Sequence, residues 1–287
     1  MIDHSQEDTA SFISLLEKRW LANHFVCVGL DPEYARLPAV LKEGHSIEEA
    51  FYIFGREIIA ATHELVCAYK PNSAFYEAQG DAGMRALARI IAYCKKHYPT
   101  IPVILDAKRA DIGNTNQGYV SAAFEHLQAD AITVHPYLGR EALAPFLQRR
   151  DKGIIVLVKT SNPGSGELQD LPVGPAGEPL YLVVARNVAQ KWNSNGNCAL
   201  VVGATYPSDI ARVRAVVDDL PLLIPGIGAQ GGDLAATVRA ARNSRGSGMI
   251  INSSRGIIYA SNGADFAEAA GKATAQLRSD IIFHRDK

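Results

Sequence analysis

The sequence predicts an α/β protein, a single (β/α)8 TIM barrel over residues 1–287, and three observations support this prediction. Short runs rich in Val and Ile recur eight times, and each is too short to cross a domain as a helix. The segments between them repeat apolar residues at helical spacing. The strands are apolar on both faces, as in a parallel sheet covered by helices, and eight such units in this length favour a closed barrel.

The predicted strands are distributed along the whole chain, and the segments between them carry helix signals. Residues 46–65 open with Ser46 and have Glu in the first turn, whereas residues 81–98 end in Lys and His, which the helix dipole favours. An open doubly wound sheet is the alternative fold, weakened because no GxGxxG follows the first strand. The predicted strands are residues 24–31, 65–72, 102–109, 131–138, 153–160, 198–205, 221–228 and 248–255.

A Gly- and Pro-rich segment, residues 161–179, separates the fifth strand from the sixth. A loop of this length is usually either disordered or functional, often as a lid, and both interpretations stay open. We find no linker that would divide the chain into two domains. The segment is therefore predicted to be a loop of the single barrel.

Composition narrows the class of protein. The 287 residues are 47% hydrophobic and 21% charged with a net charge of −1, which does not favour a nonspecific nucleic-acid or membrane surface. The N-terminus is acidic and polar, and no apolar run approaches the roughly 20 residues that span a bilayer, so we expect a cytoplasmic protein. The widely spaced Cys27, Cys67, Cys94 and Cys198 are predicted to be small buried hydrophobes.

Polar side chains collect at the carboxyl ends of the predicted strands, where barrels of this type carry their catalytic groups. Alternate residues of a strand share a face, so Asp106 and Lys108 are expected to enter the barrel mouth together, as are Lys70 and Asn72. Burying such charges without a partner is costly, and five strands share the pattern, which favours a reactive site over a solvated rim. The strand-end residues are Asp31; Lys70 and Asn72; Asp106, Lys108 and Asp111; Lys159, Thr160 and Ser161; and Ser253, Ser254 and Arg255.

Two turns late in the chain predict a phosphate site. PGIGAQGGD (225–233) follows the seventh strand and NSSRG (252–256) follows the eighth, where barrels often bind phosphate through backbone N–H groups. Arg255 is suited to a bidentate contact with phosphate, and Gln230 to an amide hydrogen bond. The alternative is a pair of tight turns. His135, on the fourth strand, is interpreted as a structural or supporting residue.

The segment LDAKRADIGNT (105–115) resembles the D-x-K-x-x-D-I motif of the orotidine 5′-phosphate decarboxylase family. The resemblance continues across the barrel, and the YKPN and PGIGAQGGD forms are similar to the branch with a longer loop after the fifth strand. It implies conversion of orotidine 5′-monophosphate to UMP and CO₂ in pyrimidine synthesis, without metal, flavin or pyridoxal, by a homodimer with shared sites. The other matching segments are GLDP (29–32), YKPNSAFYE (69–77), KTSNPGS (159–165) and SSRGI (253–257).

The resemblance also implies individual roles. Lys108 stabilises charge at C6 of the pyrimidine and protonates that carbon, Asp106 faces the departing carboxylate, and flanking carboxylates including Asp111 keep Lys108 charged. Asp111 and Thr115 are implied to reach the pocket of the other subunit. The remaining residues implied to bind substrate are Asp31, Lys70 and Asn72 at the ribose and charge array, Ser161 at the pyrimidine, Gln230 and Arg255 at the phosphate, and also Pro225 and Ser254.

Three other functions remain as alternatives. VLVKTSNPG (156–164) resembles the class I aldolase strand that carries a Schiff-base lysine, and alternation with Leu157 and Ser161 would let Lys159 face inward as a nucleophile. A metal-dependent sugar-phosphate lyase is testable by chelation. A barrel that only senses nucleotides is disfavoured, because binding alone does not need carboxylates beside an anionic ligand.

Overall fold

The structure, a computed structural model, describes residues 11–227 and 233–287 and is built around a barrel of eight parallel strands. The strands pair around the barrel, and the eighth pairs with the first. Bridges from Tyr69 to Val103 and from Asn72 to Asp106 join the second strand to the third. The predicted barrel is confirmed, and the open-sheet alternative is wrong. The strands are β1 (Val26–Gly29), β2 (Val66–Lys70), β3 (Ile104–Arg109), β4 (Ala131–Val134), β5 (Gly153–Lys159), β6 (Cys198–Val202), β7 (Leu222–Pro225) and β8 (Met249–Ser253).

Helices cover the outside of the barrel between successive strands. The two helices predicted from end signals are present, and the Ser46 hydroxyl caps the first of them by accepting a hydrogen bond from the Glu49 N–H at 3.2 Å. The α-helices are α1 (Phe12–Leu21), α2 (Ala39–Lys42), α3 (Ile47–Thr62), α4 (Ser73–Glu77), α5 (Gly80–His97), α6 (Gly113–Val120), α7 (Gly139–Ala142), α8 (Ala144–Leu147), α9 (Gly166–Gln169), α10 (Leu180–Asn187), α11 (Pro207–Val217), α12 (Leu234–Ala241), α13 (Arg255–Ile258) and α14 (Phe266–Arg285).

Alternation along the strands divides the interior of the barrel from the helix layer. In β2, Tyr69 points outward, where its hydroxyl donates a hydrogen bond to the carbonyl of Ile59 on α3 at 3.0 Å. The next residue, Lys70, points inward to Asp106. One hydrophobic cluster contains buried residues from all eight strands. The four cysteines are all buried with free thiols, as predicted.

Helix α1 covers the amino-terminal end of the barrel. A side chain on Gly153, at the start of β5, would lie 2.2 Å from the ring of Phe12, so only glycine fits beneath this helix. At the other end of α1, the indole N–H of Trp20 donates to the carbonyl of Met249 at the start of β8, at 3.0 Å. Helix α1 therefore packs against the starts of β5 and β8 at this end of the barrel.

The segment after β5 has its own local structure. It contains a short 3₁₀ turn (Pro163–Ser165), helix α9 and an antiparallel pair formed by Pro172–Val173 and Glu178–Pro179. Within the two described ranges, no helix has both the length and the apolar character needed to cross a membrane.

Candidate active site

Asp106 lies at the centre of a charge array at the carboxyl ends of β2 and β3. Its Oδ2 accepts a hydrogen bond from Lys70 Nζ at 3.0 Å, and its Oδ1 accepts one from Lys108 Nζ at 2.7 Å. The Thr133 hydroxyl, on β4, also donates to Oδ1 at 2.8 Å. Lys70 is 4% exposed and Asp106 is 8% exposed, whereas the Lys108 side chain is 48% exposed. Two ammonium groups therefore share one buried carboxylate, and one of them faces the open end of the barrel.

Attraction between these charges outweighs the cost of burying them. Burial opposes ionisation of Asp106, yet Lys70 and Lys108 hold the pKa of this carboxyl well below its usual range. Burial likewise disfavours the charged form of Lys70, but Asp106 and Asp31 raise the pKa of its ammonium above the usual value. The buried pair is therefore ionised at neutral pH.

An irregular backbone at the end of β3 directs Lys108 toward Asp106. Lys108 has a φ of 47°, a left-handed conformation that is uncommon for residues other than glycine. The pairing of β3 with β4 shifts register between Leu105 and Arg109, and the Lys108 N–H donates to the Thr133 hydroxyl at 2.9 Å. The two side chains meet as alternation predicted, but a break in the strand, rather than regular alternation, brings them together.

Two adjoining cavities open at the charge array, and Lys70, Asp106 and Pro225 line both. The first has a volume of about 220 Å³ and extends toward the ends of β1 and β8. The second has a volume of about 420 Å³ and extends toward β5 and β6. Residues that line only the first include Asp31, Asn72, Ser254 and Arg255, and residues that line only the second include Lys108, Ser161, Leu157, Val201 and Leu223.

Comparisons with known proteins identify the family of this chain. Residues 24–270 match the orotidine 5′-phosphate decarboxylase / HUMPS family. The orotidine 5′-phosphate decarboxylase of Cellvibrio japonicus (strain Ueda107) is 50% identical over 272 residues, covering 94% of this chain and 98% of the relative. The chain belongs to the orotidine 5′-phosphate decarboxylase family.

Solved structures place the chain in the same family. The OMP decarboxylase of Leishmania donovani superposes with a TM-score of 0.82 at 42% identity, over 96% of this chain and 99% of that chain. A putative orotidine-monophosphate-decarboxylase from Toxoplasma gondii superposes with a TM-score of 0.83 at 41% identity, again over 96% and 99%. The predicted family and its long-loop branch are confirmed.

The first cavity of this family member has polar walls. The Asn72 N–H donates to Asp31 Oδ1 at 3.1 Å, and the Ser254 hydroxyl donates to the carbonyl of Gly29 at 3.2 Å. A Cβ on Gly29 would lie 2.7 Å from the Cβ of Ser254, so this approach of β1 to the residue after β8 requires glycine. Arg255 is exposed and makes no ion pair with the described residues, which leaves its guanidinium available to a ligand. Gln230 lies outside the described residues.

Asp111 and Thr115 line neither cavity of their own chain. Asp111 Oδ1 accepts a hydrogen bond from the Ile112 N–H at 2.7 Å, and Thr115 is exposed on α6. Among the described residues, no hydrogen bond or ion pair joins Asp111 to Lys108. The hydrogen-bonded array of the described chain is therefore Lys70–Asp106–Lys108, without Asp111.

Lys159 lines neither cavity, so the structure lacks the inward orientation that the aldolase alternative requires. The pairing of β5 with β6 shifts register between Leu157 and Lys159, and this shift breaks the alternation on which the prediction rested. Leu157 lines the second cavity, whereas Lys159 is buried outside it, with Nζ 2.5 Å from Asp170 Oδ1 and 5.5 Å from the ring centre of Tyr181. Lys159 therefore anchors the loop after β5.

Sequence reasoning missed Thr133 and gave no role to Asn252, the first residue of the NSSRG segment, although the barrel brings both to the site. Thr133 holds Asp106 and the Lys108 backbone, and Asn252 lines the first cavity. Thr133 is the polar residue of the otherwise apolar strand AITV, and Asn252 directly follows the apolar run MII in β8. A polar residue that interrupts or directly follows an apolar run of a strand is the signal that would have identified them. His135 lines neither cavity.

Proposed function

We propose that Lys108 and Asp106 carry out the decarboxylation of orotidine 5′-monophosphate in this chain. Family membership gives the activity: the chain is a carboxy-lyase that converts orotidine 5′-monophosphate to UMP in pyrimidine biosynthesis. The observation that supports the residue assignment is the Lys70–Asp106–Lys108 array at the junction of two cavities. The aldolase alternative loses its geometric basis, since Lys159 is buried against Asp170.

The two cavities match the two ends of the nucleotide. Arg255 and Ser254 line the first, where a guanidinium suits a phosphate dianion. The second combines apolar walls with the polar Ser161, which suits a flat pyrimidine with a polar edge. This orientation puts the ribose at the junction, beside Lys70, Asp31 and Asn72. Pro225 lies against the nucleotide in both cavities.

The reaction needs a cation at the carbon that loses CO₂. Decarboxylation leaves a carbanion at C6 with no adjacent group to delocalise it. Two unit charges about 4 Å apart interact by roughly 4 kcal/mol at an effective dielectric near 20, whereas large enzymatic accelerations require on the order of 20 kcal/mol. Repulsion of the substrate carboxylate by Asp106 is therefore too small to account for catalysis.

Stabilisation of the carbanion by a preorganised ammonium supplies the larger share. Lys108 is held at 2.7 Å by Asp106, whose own position is fixed by Lys70 and Thr133. The ammonium therefore needs no reorganisation when charge develops at C6. It then donates the proton that replaces CO₂, and Asp106 keeps it charged until that step.

We also infer that the active unit is a homodimer in which Asp111 and Thr115 enter the partner's site. Asp111 is turned away from its own cavities, at the same end of the barrel as the charge array. Three large hydrophobic residues on the loops after β3 and β4 are exposed: Ile112, which follows Asp111 in the chain, Tyr137 (82% exposed) and Leu138. Exposed apolar side chains at this end of the barrel suit an interaction surface.

One assay tests the proposed activity. The purified chain is expected to consume orotidine 5′-monophosphate, followed by its ultraviolet absorbance, with UMP and CO₂ as products. Unchanged substrate would overturn the assignment. We further propose a cytoplasmic location, supported by four free thiols, which suit a reducing compartment. Recovery of the chain outside the cytoplasmic fraction would contradict that location.

A further inference from the structure

We propose that Asn252 is a further nucleotide-contacting residue, whose side-chain amide hydrogen-bonds the ribosyl part of the bound nucleotide. This inference rests on the proposed function, because it takes the orientation of the nucleotide from the two cavities. It assigns a role to the first residue of the NSSRG segment, to which the family resemblance gives none. The observation behind it is a buried amide without a partner in the wall of the first cavity.

The amide of Asn252 is unusual because it is buried and unsatisfied. Asn252 is 6% exposed, and its Oδ1 has no hydrogen-bond partner among the described residues. Leaving a buried polar group without a hydrogen bond is costly, and native structures rarely do so without a reason. Three other buried polar atoms share this property, in Asn197, Thr237 and Asn243, but none of those residues lines either cavity of the site.

Strand register places Asn252 at the junction of the two cavities. It pairs with Pro225 on β7, which lines both cavities, and with Cys27 on β1. Ser254 is two residues further along the chain, so Asn252 lies about 7 Å deeper in the barrel than Ser254, the residue before Arg255 on the phosphate side. The amide therefore faces the middle of the nucleotide rather than its phosphate end.

The chemistry of the amide matches a ribose hydroxyl. An asparagine side chain presents one acceptor oxygen and one donor NH₂ group, and rotation of the amide exchanges their positions. A hydroxyl donates or accepts, so it satisfies either orientation. Asp31, Lys70 and Asn72 line the same cavity from β1 and β2, and Asn252 approaches from β8. The ribose would therefore be held from two sides.

The test compares ligands of increasing length on two variants. Competition binding is measured with inorganic phosphate, ribose 5-phosphate and UMP. Asn252→Ala leaves space in the cavity. We expect this variant to bind ribose 5-phosphate and UMP more weakly by the same factor, about fivefold to tenfold, and to bind phosphate with unchanged affinity. Asn252→Leu is expected to lower the affinity for both ligands by a similar factor. It should also raise the melting temperature of the ligand-free protein, because the unsatisfied amide is gone.

Other outcomes would overturn the inference. A lower affinity for UMP alone would place the contact at the base. An equal loss of affinity for all three ligands would indicate a general distortion of the cavity. Unchanged affinities would remove the contact altogether. Thr237→Val is the matched control, since it removes an unsatisfied buried hydroxyl that lines no part of the site, and its ligand affinities should equal those of the wild type. Failure of the wild type to consume orotidine 5′-monophosphate would contradict the proposed function. The activity assay and the binding measurements are independent, so the two failures can be distinguished.

Discussion

The ammonium of Lys70 lies 3.0 Å from Oδ2 of Asp106 across the seam between β2 and β3. This seam is joined by isolated bridges at Tyr69–Val103 and Asn72–Asp106, whereas the other neighbouring strands pair over at least two successive residues. The same ion pair therefore helps to close the barrel and anchors the charge array. Removing it should affect both the stability of the fold and its chemistry.

Asp106→Asn is expected to lower the free energy of unfolding by about 3 kcal/mol, because it leaves the buried ammonium of Lys70 without its nearest carboxylate. The pKa of Asp106 is lowered in the folded protein, so its stabilisation is complete above the ordinary carboxyl pKa of about 4 and is lost as the pH falls. The difference in the free energy of unfolding between wild type and variant should be constant between about pH 5 and 8 and shrink below about pH 4. Urea unfolding over a pH series measures it.

The control for that series is Glu268→Gln, which removes one partner of the exposed pair formed by Lys272 and Glu268. Exposed pairs are screened by solvent, so this variant should unfold like the wild type at every pH. An Asp106→Asn protein as stable as the wild type would show that the buried pair does not stabilise the barrel.

Lys108→Ala is expected to reduce kcat by at least about 10³-fold, because one ammonium both stabilises the carbanion and protonates it. The fold should be unaffected, since the side chain is half exposed and makes one ion pair. Single-turnover kinetics and circular dichroism measure the two effects. Lys272→Ala is the matched surface control. Substantial turnover by Lys108→Ala would refute the assigned role.

Arg255→Ala is expected to weaken UMP binding by about 10- to 100-fold, the loss typical of a charge-assisted contact. Uridine, which has no phosphate, should bind the wild type and Arg255→Ala with equal affinity. Isothermal titration calorimetry measures the affinities for UMP and uridine. The melting temperature should be nearly unchanged, because Arg255 makes no ion pair with the described residues. Equal UMP affinities would contradict a phosphate site at this end of β8.

Mixing two inactive variants tests the shared site. If Asp111 acts in the partner's cavity, a hybrid of Asp111→Ala and Lys108→Ala subunits has one intact site and one doubly altered site. Random exchange should therefore restore about one quarter of wild-type activity. Subunit exchange is verified by mass spectrometry of differently tagged chains. Full exchange without recovery would show that Asp111 serves its own subunit or none.

Borohydride treatment tests the excluded Schiff-base chemistry. Lys159 is buried and paired with Asp170 at 2.5 Å, so incubation with orotidine 5′-monophosphate or deoxyribose 5-phosphate and borohydride should leave this residue unmodified. Peptide mass mapping measures the result. A substrate-sized adduct on Lys159 would restore the aldolase alternative.

The fold could be predicted from the sequence because each barrel strand is a distinct apolar run separated by helical spacing. The charge array could be predicted in part, since Asp106 and Lys108 are close in sequence at the end of a strand, although an irregular backbone rather than alternation brings them together. Local register shifts could not be predicted: one redirects Lys108, and another turns Lys159 out of the site. Such shifts depend on the pairing of neighbouring strands, which no single segment encodes.

Two further features of the site could not be predicted from the sequence, because each depends on contacts between separate segments. A pattern along one strand does not reveal a partner on another, so the sequence does not predict that the Thr133 hydroxyl accepts from the Lys108 N–H and donates to Asp106. The proposed role of Asp111 in a partner's site likewise cannot be read from one chain. The motif identified Asp111 but not Thr133, and only the folded barrel shows what Thr133 contacts.

The four native thiols are enclosed, and burial raises the pKa of Cys27, Cys94 and Cys198 to about 12. Alkylating reagents therefore meet no reactive sulfur near neutral pH. A cysteine substituted at position 108 would sit at the open mouth, and bromoethylamine would convert it into a lysine analogue with one sulfur in its stem. The amine that we propose acts at C6 can thus be removed genetically and restored by chemical modification.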